Sequence, residues 1–119
     1  MREAINLPTH KITLYSSLVR TEGKYVFLSG CVGIREDGAL GDSFREQTEL
    51  AIHNMKTALA AANSDINHIA RIIVFLTDYE NMKEFNDIYK THFSSLPPAR
   101  SCIFVGLAPG YLVELNVTA

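Results

Sequence analysis

The sequence predicts an α+β domain in the order β-β-α-β-α-β-β, with two helices packed on one face of a mixed sheet. Apolar residues recur at helical spacing in two segments. Runs of strand length, rich in β-branched and aromatic residues, fill much of the remainder. No repeat, low-complexity tract or linker divides the chain, and its 119 residues suit one domain. A chain of that length buries roughly two thirds of the surface it exposes when unfolded, enough for a single core.

The elements follow in order. Residues 11–19 alternate loosely and end near Gly23, which predicts a strand and a turn. Tyr25 to Ser29 is a second strand. Gly30, Gly33, Gly38 and Gly41 then punctuate a long loop, with Asp37-Gly38 a tight-turn pair. A helix is expected from Ser43 to Ala62. Asp42 or Ser43 can cap it, and Glu46 stands three residues after Ser43, as a capping box requires. Thr48, Ala51, Ile52, Met55, Leu59 and Ala62 fall on one face of it, and Asn63-Ser64-Asp65 ends it. Ala70 to Thr77 is a strand with apolar residues on both faces. A second helix spans about 81–93 with Met82, Phe85, Tyr89 and Phe93 as its stripe, and Pro97-Pro98 forces an extended exit. Strands at 99–105 and 111–118, joined by Gly106 to Gly110, read as a hairpin.

Composition narrows the function. Apolar residues are 47% and charged residues 20%, an average soluble balance that excludes disordered and fibrous classes. The net charge is −2 and no Lys/Arg cluster exceeds a dipeptide, which argues against a nucleic-acid partner. No apolar run approaches the ~18 residues of a membrane span, and Met1 to Lys11 has no apolar signal core, so no membrane association and a cytoplasmic location are expected. The two cysteines, Cys31 and Cys102, lack CxxC spacing, and His10, His53, His68 and His92 are scattered. No metal site is expected, nor any cofactor.

Two helices can cover only one face of the sheet. In the expected hairpin, Ile103, Val105, Val113, Leu115 and Val117 point one way, toward the helices. Arg100, Cys102, Phe104, Leu112, Glu114 and Asn116 point the other way, with Cys102 opposite Glu114 and Arg100 opposite Asn116. Ile73 and Phe75 add apolar bulk to that second face. It is therefore expected to pack on another subunit, with Arg100 and Glu114 at the interface in need of partners or a ligand.

Pro98-Ala99-Arg100-Ser101-Cys102 and Leu112-Val113-Glu114-Leu115 resemble the C-terminal signature of the Rid (YjgF/RidA) family. Phe27-Leu28-Ser29-Gly30, Gly41-Asp42 with Gln47-Thr48 and Asn54, Val74 to Asp78, and Phe85 to Tyr89 are similar to the family's earlier elements, in order along nearly the whole chain. The resemblance implies a chorismate-mutase-like fold and a homotrimer with clefts between subunits. It also implies hydrolytic deamination of reactive 2-imino acids to 2-keto acids and ammonia. Arg100 would bind the substrate carboxylate. Tyr15, Ser29, Gly30, Cys31, Cys102 and Glu114 would line the cleft, Tyr15 from the neighbouring subunit. The chain departs from the family pattern at Thr13-Leu14 before Tyr15, at Cys31 where glutamine is common, and in a final connection one residue shorter, with Ala108-Pro109.

Each residue also has a plainer role open to it. A guanidinium suits a carboxylate because it binds it in a planar fork, but Arg100 could instead form an interfacial salt bridge with Glu114. Glu114 could deprotonate a water or shuttle its proton, or simply accept a neighbour's backbone N–H. Cys102 could be a nucleophile, yet no histidine is evidently placed to activate it, and packing suits it better. Cys31 lines the cleft or packs. Tyr15 is core or caps the ligand, and Ser29 makes a turn or binds a carboxylate oxygen. Asn54 and Asn86 read as structural hydrogen-bonders. Gly30-Cys31-Val32-Gly33 is no phosphate loop. The ligand is expected to be a small imino or keto acid. Two other functions stay open: a keto-acid-binding regulatory module without turnover, and an endoribonuclease, against which the acidic balance argues.

Overall fold

The computed structural model describes residues 2–9, 16–21, 25–93 and 97–119. Along the chain run β1 (Arg2–Ile5), β2 (Leu18–Thr21), β3 (Val26–Leu28), β4 (Cys31–Val32), α1 (Phe44–Ala61), β5 (Arg71–Leu76), α2 (Met82–His92), β6 (Ala99–Phe104) and β7 (Val113–Thr118). The expected α+β order is present, with β1 and β4 as additions. The first part of the strand expected over 11–19 lies outside the described residues.

Local chemistry explains α1. Ser43 caps it, its hydroxyl accepting the Glu46 N–H at 3.0 Å. Glu46 reaches back to accept the Asp42 N–H at 2.7 Å, one residue earlier than in the usual capping box. The helix stops at a left-handed residue, Asn63, with φ 58°. The N–H groups of Asn63 and Ser64 donate to the carbonyls of Ala60 and Leu59, the paired bonds of a Schellman end. The predicted stripe is buried in full. Gln47 lies in phase with it and is 3% exposed. On α2, Phe85, Ile88 and Tyr89 are buried.

One mixed sheet runs in the order β1-β2-β3-β7-β5-β6, with β4 also paired to β7. β3 and β4 lie along β7 as one strand with a kink: Phe27 pairs with Thr118 and Cys31 with Leu115, four residues against three. The extra residue is a β-bulge at Ser29-Gly30. It explains why Leu28 and Cys31, three apart, both turn into the core.

The hairpin expected of β6 and β7 is not formed. β5 lies between them, parallel to β6 and antiparallel to β7. The Gly-Pro-Gly connection carries the chain across β5 instead of reversing it beside β6. Cys102 therefore pairs with Val74 and Arg100 with Ile72, and Glu114 pairs with Phe75. Ile72, Val74, Leu76, Val113, Leu115 and Val117 form the helix-covered face as expected. Arg100 and Cys102 share that face, which corrects their expected place beside Glu114. Ile103 and Glu114 lie on the other. Among the residues of that open face, Phe27 is 46% and Ile103 42% exposed.

The loop over 30–42 is pinned to α1. Asn54 donates to the carbonyls of Val32 (2.9 Å) and Ile34 (3.0 Å), the structural role expected of it. Arg35 donates to the Leu40 carbonyl at 2.8 Å and pairs with Asp42 and Glu46. Gly33 packs directly on Gln47: a Cβ there would lie 2.4 Å from the Gln47 Cα and carbonyl oxygen. Among the described residues no helix is long and apolar enough to cross a membrane.

Gly33→Ala should therefore cost about 3 kcal/mol, since backbone cannot yield. Gly38→Ala, at φ 87° but in open space, should cost about 1 kcal/mol. Urea unfolding at one protein concentration separates the two, and equal losses would remove the packing explanation.

Candidate functional site

Arg100 leaves β6, the edge strand, on the helix-covered side and lies across the aromatic residues of α2. Its guanidinium carbon is 4.8 Å from the Tyr89 ring centroid and 5.7 Å from that of Phe85. Tyr89 in turn stacks on Phe93 with centroids 4.2 Å apart. Phe85, Tyr89 and Phe93 stand four residues apart, so helical geometry alone aligns them into a support. Among the described residues no carboxylate pairs with Arg100. Stacking orients its plane through the face of the π system, which leaves the N–H edge for another acceptor. An open pocket of about 670 Å³ adjoins it, lined by Met82, Lys83, Asn86, Asp87, Tyr89, Lys90 and Arg100. The Asn86 Oδ1 and the Tyr89 hydroxyl are buried there without a hydrogen-bond partner among the described residues. Burial pushes the Tyr89 hydroxyl's pKa up, opposed by the nearby Arg100 charge.

A second pocket, of about 400 Å³, lies against the bulge. Ser29, Gly30, Val32, Ala108, Tyr111 and Glu114 line it. The Glu114 carboxylate rests directly on Gly30: a Cβ on that glycine would come within 2.5 Å of Glu114 Oε2. Among the described residues neither a cation nor a hydrogen-bond donor meets this carboxylate, and burial raises its pKa above the ordinary value. The Ser29 hydroxyl is engaged, donating to the Ser16 carbonyl in a short bond.

The expected site residues thus fall into two groups. Arg100 and Cys102 belong to one side of the sheet, and Ser29, Gly30 and Glu114 to a pocket that includes neither. Cys31 joins neither pocket. It is buried beside Leu115, its thiol 3.6 Å from the Ser29 carbonyl. Burial, then the Glu114 charge, pushes its pKa up to about 12. Burial also raises Cys102, opposed by Arg100. Both are held as thiols, unsuited to nucleophilic attack. Tyr15 lies outside the described residues. Asn86 and Tyr111 were not foreseen as pocket residues. Asn86 looks from sequence like an ordinary polar helix residue, and Tyr111 like the first residue of a strand. Among the described residues no group of three or more His, Cys, Asp or Glu side chains could hold a metal ion. The geometry offers an anion receptor in one place and a proton acceptor of raised pKa in another.

The pattern that defines the family described as Endoribonuclease L-PSP matches residues 7–119. Protein HMF1 of Saccharomyces cerevisiae is 35% identical over 96 residues, which are 79% of this chain and 74% of HMF1. The RutC family protein YjgH of Escherichia coli is 38% identical over 109 residues, 88% of this chain and 81% of YjgH. Among solved structures, YyfA from Yersinia pestis, a protein of unknown function of the conserved Rid protein family, superposes with a TM-score of 0.93. It is 30% identical, and the match covers 100% of this chain and 98% of YyfA.

In native protein at pH 8, iodoacetamide should leave Cys31 unmodified and alkylate Cys102 more slowly than a free thiol. Both should react in denaturant. Peptide mass mapping reads this, and fast native labelling of Cys31 would contradict its burial.

Proposed function

Because the chain belongs to the Rid (YjgF) family, described as Endoribonuclease L-PSP, we propose that it hydrolyses 2-imino acids to 2-keto acids and ammonia in clefts shared between the subunits of a homotrimer. The observation that carries this reading is Arg100: a permanent charge, stacked on aromatic rings, with no carboxylate partner among the described residues. A buried or half-buried cation without a counter-ion is costly. A substrate carboxylate supplies the missing partner in bidentate form.

The reaction asks little more of the protein. Water adds to the C=N carbon of the protonated imine as Glu114 takes one of its protons, giving a carbinolamine. Glu114 returns that proton to nitrogen, and the C–N bond breaks as the hydroxyl gives up its own proton to form the C=O, so that a 2-keto acid and ammonia, carrying the imine's proton, leave. A carboxylate of raised pKa suits both directions of that transfer better than an ordinary one. Holding the imino acid beside its water removes part of the entropic barrier. Cys102, protonated and next to Arg100 on the strand, lines the cleft without attacking.

Arg100 and Glu114 lie on opposite faces of the sheet in one chain, so a single substrate meets both only across a subunit boundary. In a head-to-tail assembly each subunit meets one neighbour through Arg100 and the other through Glu114, and such contacts close into a ring or run on as a filament. A three-membered ring is the smallest such closure. The exposed apolar face around Phe27, Phe75 and Ile103 is what such a ring would cover. Among the described residues no histidine lines either pocket, which favours imine hydrolysis over RNA cleavage by paired imidazoles.

Arg100→Ala should lower kcat/KM for 2-iminopropanoate and 2-iminobutanoate at least ~100-fold, the worth of two charge-assisted hydrogen bonds. The imines are generated in the cuvette by an amino-acid oxidase. Unchanged turnover would end the proposed role.

The wild-type rate should rise with pH through a limb above the ordinary carboxylate range, because the base works only when ionised and burial raises its pKa. Glu114→Gln should lose that limb along with ~100-fold or more in kcat. A Gln variant that keeps the limb would make Glu114 structural.

Arg100→Ala and Glu114→Gln subunits, unfolded together and refolded one to one, should recover about a quarter of wild-type activity, since random mixing in a ring gives that share of clefts with both residues intact. No recovery would place both residues in one subunit's site.

A further inference from the structure

We propose that Tyr111 is the specificity-determining wall of the cleft, limiting the size of the imino acid's side chain, and that the buried Gln47 holds it there. The proposal rests on the imine-hydrolysis reading and extends it to substrate choice.

The connection from β6 to β7 carries Tyr111 over the pocket. Gly106 leaves it little intrinsic stiffness at its β6 end. One side chain supplies what is missing. Gln47 Nε2 donates to the Gly110 carbonyl at 3.0 Å, and its Oε1 accepts the Leu112 N–H at 2.9 Å. The residues immediately before and after Tyr111 are therefore tied to the same amide. Nε2 also donates to the Gly41 carbonyl at 3.2 Å, so every hydrogen-bonding direction that matters is used inside the protein. Gly110 sits at φ 87°, and the Tyr111 N–H donates to the Ala108 carbonyl at 3.0 Å, closing a β-turn whose last residue, Tyr111, lines the pocket.

Gln47 is itself immobile. It is 3% exposed, and its backbone is in contact with Gly33 and Gly41, where a Cβ would come within 2.4 and 2.9 Å of it. A buried amide that leaves none of its bonds to water is an expensive way to pack a helix. Its cost is accounted for if the loop it fixes must keep one geometry.

The pocket lining shows why that geometry matters. Glu114 is assigned to the proton, and Gly30 is the surface on which Glu114 rests. With the Ser29 hydroxyl engaged by the Ser16 carbonyl, Val32, Ala108 and Tyr111 remain for a substrate side chain to touch. Tyr111 is the bulkiest of the three. With the backbone held on both flanks the ring is carried at a fixed place on the wall, and its bulk sets how much side chain the cleft admits. A pocket built this way discriminates by size, and one methylene in such a contact is worth ~10- to 200-fold in kcat/KM.

The experiment compares kcat/KM for 2-imino-4-methylpentanoate with that for 2-iminopropanoate in wild type, Tyr111→Phe and Tyr111→Ala. The ratio of the branched to the short substrate should rise at least ~10-fold in Tyr111→Ala and stay at the wild-type value in Tyr111→Phe. An unchanged ratio in the alanine variant overturns the proposal, and so does an equal rise in the phenylalanine variant.

Gln47→Leu should raise the same ratio, chiefly through KM, in a protein that still melts above the assay temperature. Adding Tyr111→Ala to it should produce no further rise, because both changes remove one wall. Additive effects would separate Gln47 from Tyr111 and overturn its positioning role. If wild type turns over neither imine, the catalytic reading has failed independently. Calorimetric affinities for 4-methyl-2-oxopentanoate and 2-oxopropanoate then replace the rates, with the same ratio deciding the role of Tyr111.

Discussion

β5 hydrogen-bonds along its whole length to β6 on one side and β7 on the other, parallel to the first and antiparallel to the second. Side chains alternate strictly along a strand, so this adjacency assigns a face to every residue of three strands at once. Ile72, Val74 and Leu76 are wholly buried under the helices. Their neighbours Arg100 and Cys102 share that side, and Glu114, beside Phe75, does not. The separation of Arg100 from Glu114 is thus a consequence of which strand lies in the middle. No change of rotamer could undo it.

Each of the two charged groups is left in partial burial without a counter-charge among the described residues. Local packing keeps both tolerable. The Arg100 guanidinium is flat and weakly hydrated, and lying on Tyr89 and Phe85 it exchanges water for polarisable rings at modest cost. Glu114 responds differently, through a carboxyl that holds its proton more tightly than usual. One group is made available by support beneath it, the other by the absence of anything that would neutralise it. Departures from ordinary charge pairing of this kind tend to collect at functional positions.

Much of the fold was legible in the sequence. Ser43, Glu46 and Asn63 mark the ends of α1 because capping chemistry is local, and the stripes of both helices follow from a period that no tertiary contact alters. That the two helices leave the second face of the sheet open was also legible, from counting helices against apolar strand positions. The pairing of β6 with β5 was not. A glycine- and proline-rich connection between two strands looks the same whether they lie side by side or one strand apart. That error moved Arg100 and Cys102 to the wrong face, although their number and type were read correctly. β1, short and half polar, and β4, two residues beyond a bulge, carry too little pattern to announce themselves. Gln47 did leave a signal: a glutamine in phase with an apolar stripe implies buried hydrogen bonds, but its partners Gly110 and Leu112, more than sixty residues away, could not be inferred.

β7 comes last among the strands, yet it lies between the others. β1 to β4 form one group and β5 with β6 a second, and the sheet joins them only through β7. Neither group can acquire its neighbour until the strand that joins them has docked. Loop closure over such separations is entropically expensive and comes late, so folding of this domain is governed by long-range events more than by its well-capped helices. Until β7 docks, two open sheet edges await a partner, and any extended segment nearby competes for them. The order of the strands along the chain, set against the order in which they lie, leaves the inner edges of β3 and β5 open until β7 closes them.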